Sequence, residues 1–545
     1  MSAAGSARAL KASRRWMIKP GLQAVMGGRP MVRRLTLGLL VIAATAQPAL
    51  AHTAERGFVM LLPTDYYLLG GALAVAASFL ILLVAPRLLG TRPPPSPPDH
   101  PPDHPPATLG VSLARACVGW LSFAGFVGLL VSGVIGTRDP LLNPLPLAIW
   151  TGLWVVLTLV QAVVGDLWSW INPWQAPVAT LRRLWPRAPL TLPDRVGYGP
   201  AILIFFAFAW FELVYPAPDD PGRLAWAVGA YWAVNFIAMM VFGPRDWRAR
   251  GECFSVFFGF IALLAPWRWK AGRRDAGGRV RLCWPGARAL EAPAPSASAA
   301  CFLLLALASV SFDGFMRTFV YLDWIGINPL AFPGRSAVMG ANSVGLLAAA
   351  LVLIGVYFLA VALGGWLAGF GRAGFGRAGF GGAGQRGEGV PIKAMAGRLA
   401  LSLLPISLAY HGAHYLVILL INGQYAIKAL GDPFGLGANF LGLADRHVTT
   451  SLLTHHGAVE MIWNLQAGMI IVGHVWAVLL AHAIAQQIPN PGAAAAQARR
   501  WGGLSQPPLA QPPLAQTPLA QTPLAVLMIG YTVFGLWLLS TPTGA

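Results

Sequence analysis

Two histidines three residues apart, His411 and His414, stand in an otherwise apolar stretch of this chain. At that spacing both rings share one helix face, where they can hold a single cation. Tyr410 and Tyr415 flank them, and a second apolar stretch carries Glu460, Asn464 and His474. Facing helices that supply histidine and carboxylate are how metal sites are built into helical bundles. The same pattern serves interhelical hydrogen bonding by neutral histidines, so both readings stand at this point. The second stretch also holds His482, and other apolar stretches contain Glu212 and Asp313, with Arg317 four residues beyond Asp313 and able to pair with it. One more histidine, His52, follows the small-residue ending Ala49-Leu50-Ala51. If the chain is processed there, its α-amino nitrogen and imidazole form a chelate suited to copper, unless it is simply a tolerated residue after a cleavage site. A divalent ion such as copper or zinc is therefore the expected cofactor, with His52, His411, His414 and His474 as the candidate ligands.

These residues matter because of the medium around them. The chain has 545 residues, 56% hydrophobic and only 11% charged, against about 25% charged in soluble domains. A cytosolic enzyme, a disordered chain and a disulfide scaffold are excluded by that balance. Spanning a bilayer core of about 30 Å takes about 20 apolar residues. Ten segments qualify: 66–85, 111–136, 146–165, 199–215, 223–242, 299–319, 341–367, 400–422, 459–487 and 523–540. The expected fold class is all-α, a polytopic transmembrane helical bundle. Residues 1–51 read as an N-terminal extension and signal peptide, because 31–51 has a basic start, an apolar run and a small-x-small ending. Residues 52–545 form the helical domain, interrupted by low-complexity linkers at 92–106, 371–384 and 502–524.

The formal charge of +19 comes without a basic recognition helix or any nucleic-acid-binding motif, so no nucleic acid partner is expected. With the mature N-terminus in the periplasm and the spans alternating, all but seven of the 39 basic residues fall on the cytoplasmic side. The expected location is a bacterial inner membrane. Residues 252–266 are apolar but short, with arginines on both flanks, which predicts a re-entrant or interfacial helix. Under this topology Glu212, Asp313 and Glu460 belong to the periplasmic half, with His411 and His474 near mid-depth. The polar residues are then expected to converge on one cavity open to the periplasm. The run Trp168-Ser169-Trp170-Ile171-Asn172-Pro173-Trp174 reads as an interfacial aromatic belt, or alternatively as a surface on which a substrate stacks. The four cysteines are far apart in the chain and read as free thiols.

The segment LPISLAYHGAHYLVILLINGQYAIKALGDPFGLG (404–437) resembles a block found in bacterial membrane proteins known as fenitrothion hydrolases. Ala51-His52, Trp170-Asn172-Pro173-Trp174, Phe211-Glu212-Leu213, Gly251-Glu252-Cys253-Phe254, Phe312-Asp313-Gly314, Gly473-His474 and Ala481-His482 resemble further pieces of it. The pieces extend from residue 51 to about 485. The resemblance departs at Tyr410-His411-Gly412, so it carries His414 but not His411. It implies hydrolysis of an organophosphorus triester at its aryl ester bond, by water activated at a His/carboxylate cluster with or without a metal. Glu212, Asp313 and His414 are then the candidate catalytic residues. The implied partners are an apolar small-molecule substrate and membrane lipid, with a homo- or hetero-oligomer left open. Two other readings remain: a copper-handling or respiratory-assembly membrane protein, and a proton-coupled transporter.

Overall fold

The computed structural model describes residues 64–89, 109–186, 188–270, 279–368, 392–488, 514 and 518–541. All belong to the compact unit Pro63–Ala545. The signal segment 31–51, His52 and the linkers 92–106 and 371–384 lie outside the described residues, as does most of 502–524.

Among the described residues ten helices are long and apolar enough to cross a membrane, and the chain is a multi-pass, all-α membrane protein. In chain order the main helices are α1 (Thr64–Leu89), α2 (Leu109–Ile135), α3 (Pro144–Val164), α4 (Gly199–Leu213) and α5 (Pro221–Phe242). There follow α6 (Cys253–Ile261), α7 (Ala297–Phe315), α8 (Arg335–Leu367), α9 (Leu404–Ala429), α10 (His456–Ala485) and α11 (Pro518–Ser540). All but α6 are spans, and each overlaps one of the ten segments expected from apolar length. The last begins at Pro518, inside the stretch expected to be a linker, because proline is tolerated in the first turn of a helix.

The core forms around α7. Of its span 78% is buried, against 11–50% for the other nine, so it runs through the middle of the bundle. Ser296 starts it by accepting a hydrogen bond from the Ala299 amide. Because α7 is enclosed by protein, Asp313 near its C-terminal end meets side chains rather than lipid.

Two local features depart from plain spanning helices. Residues Leu147–Leu157 of α3 are π-helical, and the Trp154 carbonyl there accepts from Thr158 Oγ1 at 2.6 Å and from His411 Nε2 at 2.8 Å. A wide turn of this kind releases carbonyls from the α ladder, and side chains must satisfy them. The second is the short apolar helix Cys253–Leu264, which at 1.5 Å per residue reaches only about 18 Å. It does not lie on the outside of the bundle as an interfacial helix does. Phe254, Phe257 and Phe258 are buried; the first two pack on Trp154, Phe205 and Phe208, and Phe258 packs on Trp168. An antiparallel hairpin follows, with Trp267–Lys270 (β1) paired to Arg279–Leu282 (β2).

The helix that carries His414 is held by a close crossing of α9 and α10 at Gly473. A Cβ there would stand 2.2 Å from Ala409 Cβ and 3.0 Å from the Pro405 carbonyl oxygen. Gly473→Ala should therefore push the two helices apart and cost about 1–3 kcal/mol, as overpacking does. Thermal unfolding in detergent micelles checks this, and an unchanged midpoint would show that the crossing is slack.

Candidate functional site

Three of the sequence candidates meet at one place. Asp313 of α7 is 2% exposed. Its Oδ2 accepts from His414 Nε2 at 2.7 Å and its Oδ1 from Arg317 Nη2 at 2.7 Å. The i,i+4 pairing with Arg317 supplies the counter-charge that a buried carboxylate needs. Arg317 lies just beyond the helix end, with its side chain 46% exposed, so the ion pair runs from the buried carboxylate to the exposed end of the cluster. Glu212, near the C-terminus of α4, joins through Tyr415, whose hydroxyl donates to Glu212 Oε1 at 3.1 Å and lies 3.4 Å from Asp313 Oδ2. Arg335 donates to the Glu212 main-chain carbonyl at 2.9 Å and ties down the end of α4.

The chemistry of this group follows from its hydrogen bonds. A carboxylate only accepts, so His414 donates from Nε2 to Asp313, and in the neutral ring Nδ1 keeps a lone pair. The His414 side chain is 21% exposed. A histidine oriented by a buried carboxylate on one nitrogen, with the other nitrogen open, is the arrangement of a general base. Tyr410 stacks against His414 with the rings 6° from parallel, which fixes the imidazole plane from the other side. Arg317 and Tyr415 complete the group and come from the sequence neighbourhood of the candidates.

The remaining candidates lie elsewhere, and the expected single cavity does not gather them. His411 and His414 turn their Nε2 atoms to different helices. His411 is 1% exposed and spends Nε2 on the Trp154 carbonyl of α3, while His414 turns to α7. The Tyr415 ring contacts both imidazoles, at 4.8 and 4.7 Å between centroids. The His411 ring stands edge-on to Trp154 at 4.7 Å, so its place is set by the π-helical carbonyl it satisfies. His474 is fully buried and bonds through Nδ1 to the Ile470 carbonyl of its own helix. His482 meets Gln521 at 3.1 Å. Glu460 is 51% exposed on its side chain and 4.0 Å from His456, near the N-terminal end of α10 and outside the packed interior. Asn464 accepts from the Tyr67 hydroxyl at 2.8 Å. His52 lies outside the described residues.

These placements bear on the expected metal. Among the described residues no group of three or more His, Cys, Asp and Glu side chains is placed to hold an ion. His411 and His414 direct their Nε2 atoms to a carbonyl and a carboxylate respectively, and His411 Nδ1 has no hydrogen-bond partner among the described residues. The four cysteines are free thiols, as their spacing suggests. His411→Ala removes one of the two side-chain donors to the Trp154 carbonyl and leaves a void, at a cost of about 2–3 kcal/mol. His411→Asn keeps a donor and should recover part of that. Melting curves of the two variants side by side decide it, and equal stability of His411→Ala and the parent would remove the structural role.

A second feature was not anticipated from sequence. Glu252 is fully buried at the N-cap of α6. Its Oε1 accepts from the Phe254 amide at 2.9 Å and from the Tyr231 hydroxyl through a short bond; its Oε2 accepts from the Ser255 amide at 2.6 Å and Trp168 Nε1 at 3.2 Å. The signal available in sequence is an acidic residue opening an apolar run between two basic clusters, which is a capping position. This anchoring also overturns the aromatic-belt reading. Trp168 and Trp174 are 7% and 2% exposed and pack edge-to-face on each other and on Phe254, Phe258 and Tyr231. Gly165, at φ +100°, turns the chain back after α3 and carries these rings inward. Trp170 remains partly exposed and stacks under Arg115. No family model, curated protein or solved structure matches this chain, and its chemistry is read from these contacts.

Proposed function

We propose that this protein is a membrane-embedded hydrolase of apolar organophosphorus triesters. The observation that carries the reading is the Asp313–His414 pair, in which a buried carboxylate holds one imidazole nitrogen and leaves the other open. His414 Nδ1 takes a proton from water as the water oxygen bonds to phosphorus and the aryloxide departs with its electron pair. Asp313 stabilises the imidazolium that forms, and Arg317 balances Asp313 before and after the transfer. The exposed edge of Arg317 also offers donors to the phosphoryl or thiophosphoryl group as charge gathers on it. Glu212 holds the Tyr415 hydroxyl beside the same carboxylate. The substrate class comes from the motif resemblance and from the setting, since an apolar triester concentrates in lipid. The proposed placement is a bacterial inner membrane with the mature N-terminus and this cluster facing the periplasm, supported by the distribution of basic residues between the loops.

The test uses the full chain purified into lipid nanodiscs. Nitrophenol release from fenitrothion is followed for the parent and for His414→Gln, with copper and zinc measured on the same samples. The expected result is turnover by the parent and a loss of about 10²–10⁴-fold in the variant, the contribution of a positioned general base. No turnover above the lipid blank, or full turnover in His414→Gln, would overturn the proposal. Stoichiometric copper without turnover would point instead to metal handling.

A further inference from the structure

A cavity of about 630 Å³ lies between α2, α3, α4 and α5, a volume within the range of small-molecule sites, about 300–1,000 Å³. Eight of its 24 lining residues are aromatic, a third of the wall, against 11% aromatic residues in the whole chain. Its three tryptophans all spend their N–H groups on protein. Trp150 donates to the Pro218 carbonyl at 3.3 Å, Trp168 to Glu252 at 3.2 Å and Trp174 to the Trp232 carbonyl at 2.9 Å. The Tyr231 hydroxyl on the same wall is bound to Glu252. What these residues present to an occupant is therefore ring faces and edges, with the indole, Tyr231 and Asn235 donors already engaged. A charged or strongly hydrogen-bonding ligand would lose water there without replacement. A flat, uncharged ring system instead gains offset and edge-to-face contacts.

The approach to the cavity is apolar as well. Val234 of α5 lines it and is 55% exposed, next to Ile237 at 61%, an outer face that meets lipid in a multi-pass protein. The wall is preformed, because the four hydrogen bonds to Glu252 hold Trp168, Tyr231 and the start of α6 in place.

We propose that this cavity binds an uncharged aromatic small molecule that enters from the bilayer. Phe208 on its wall is 5.1 Å from the Trp154 ring, which is 4.7 Å from His411, so one aromatic layer separates the cavity from the helix that carries His414. Holding the aryl group of a triester is the use this suggests, and that use rests on the hydrolase reading; the binding does not.

The test is photolabelling of the full chain in nanodiscs with benzophenone, an uncharged aromatic that inserts into neighbouring C–H bonds, with adducts located by mass spectrometry. Naphthalene and dodecane serve as competitors. The cavity is filled in Gly125→Leu/Ala207→Phe; a Cβ at Gly125 meets nothing within 4 Å. Val352→Phe, on the exposed face of α8, is the control. Adducts on the 224–234 segment, displaced by naphthalene, are expected, with at least a ten-fold loss in the filled variant at an unchanged melting temperature. If that variant does not fold, competition by naphthalene on the parent still decides. Labelling spread evenly over lipid-facing residues such as Val352 overturns the proposal. So does displacement by dodecane as effective as by naphthalene, which would make the cavity an acyl-chain groove. Labelling without triester hydrolysis keeps this site and removes only the hydrolase reading.

Discussion

Asp313→Asn is expected to lower the turnover number for triester hydrolysis by about 10³–10⁴-fold, with little change in KM. The amide keeps the shape of the side chain, so α7 and α9 should still pack. What it loses is charge. The imidazolium formed on His414 no longer faces an anion at 2.7 Å, and Arg317 loses its partner. The asparagine amide can also present N–H towards His414 Nε2 and select the other ring tautomer, removing the lone pair from Nδ1. Because Asp313 acts through His414 and not on substrate, the effect belongs in kcat. Steady-state kinetics in nanodiscs checks it. A kcat within three-fold of the parent, or a loss confined to KM, contradicts the orienting role.

The second large effect is on stability. Glu252→Ala removes an acceptor of four hydrogen bonds from a fully buried position. Losing the N-cap costs about 1 kcal/mol, and each buried donor left without a partner adds about 1–3 kcal/mol. A loss of at least about 3 kcal/mol is expected, enough to lower the melting temperature markedly or prevent purification. Glu252→Gln retains acceptor capacity and should lie between the two. A melting temperature unchanged in Glu252→Ala would show that water replaces the carboxylate at these donors. Because Glu252 also fixes Trp168 and Tyr231, the same variant should loosen the aromatic wall.

The spans were legible because their signal is length and apolarity, which each segment carries by itself. Residues 341–367 or 459–487 need no partner to declare that they prefer lipid to water; α8 covers the first and α10 all but the last two residues of the second. The cost of an ionisable group at membrane depth likewise made Glu212, Asp313 and His414 visible one by one. Their grouping was a weaker inference. The i,i+3 spacing of His411 and His414 suggests a shared ligand face, but two different neighbours can pack against one helix face. α3 meets one ring and α7 the other. Trp168 and Trp174 misled for a related reason, since a tryptophan after a span looks the same in sequence whether the next turn points it to the interface or folds it inward.

By itself the sequence determined a multi-pass helical chain with free cysteines and few intramembrane charges, because hydropathy, spacing and charge are properties of single residues and short runs. Only the tertiary structure decided which charges meet. Pairing Asp313 with His414 brings together residues 101 positions apart, and burying Glu252 under Trp168 and Tyr231 requires three separate segments. Those contacts depend on which helices pack side by side and at what rotation, and a one-dimensional pattern of apolar residues leaves that rotation free.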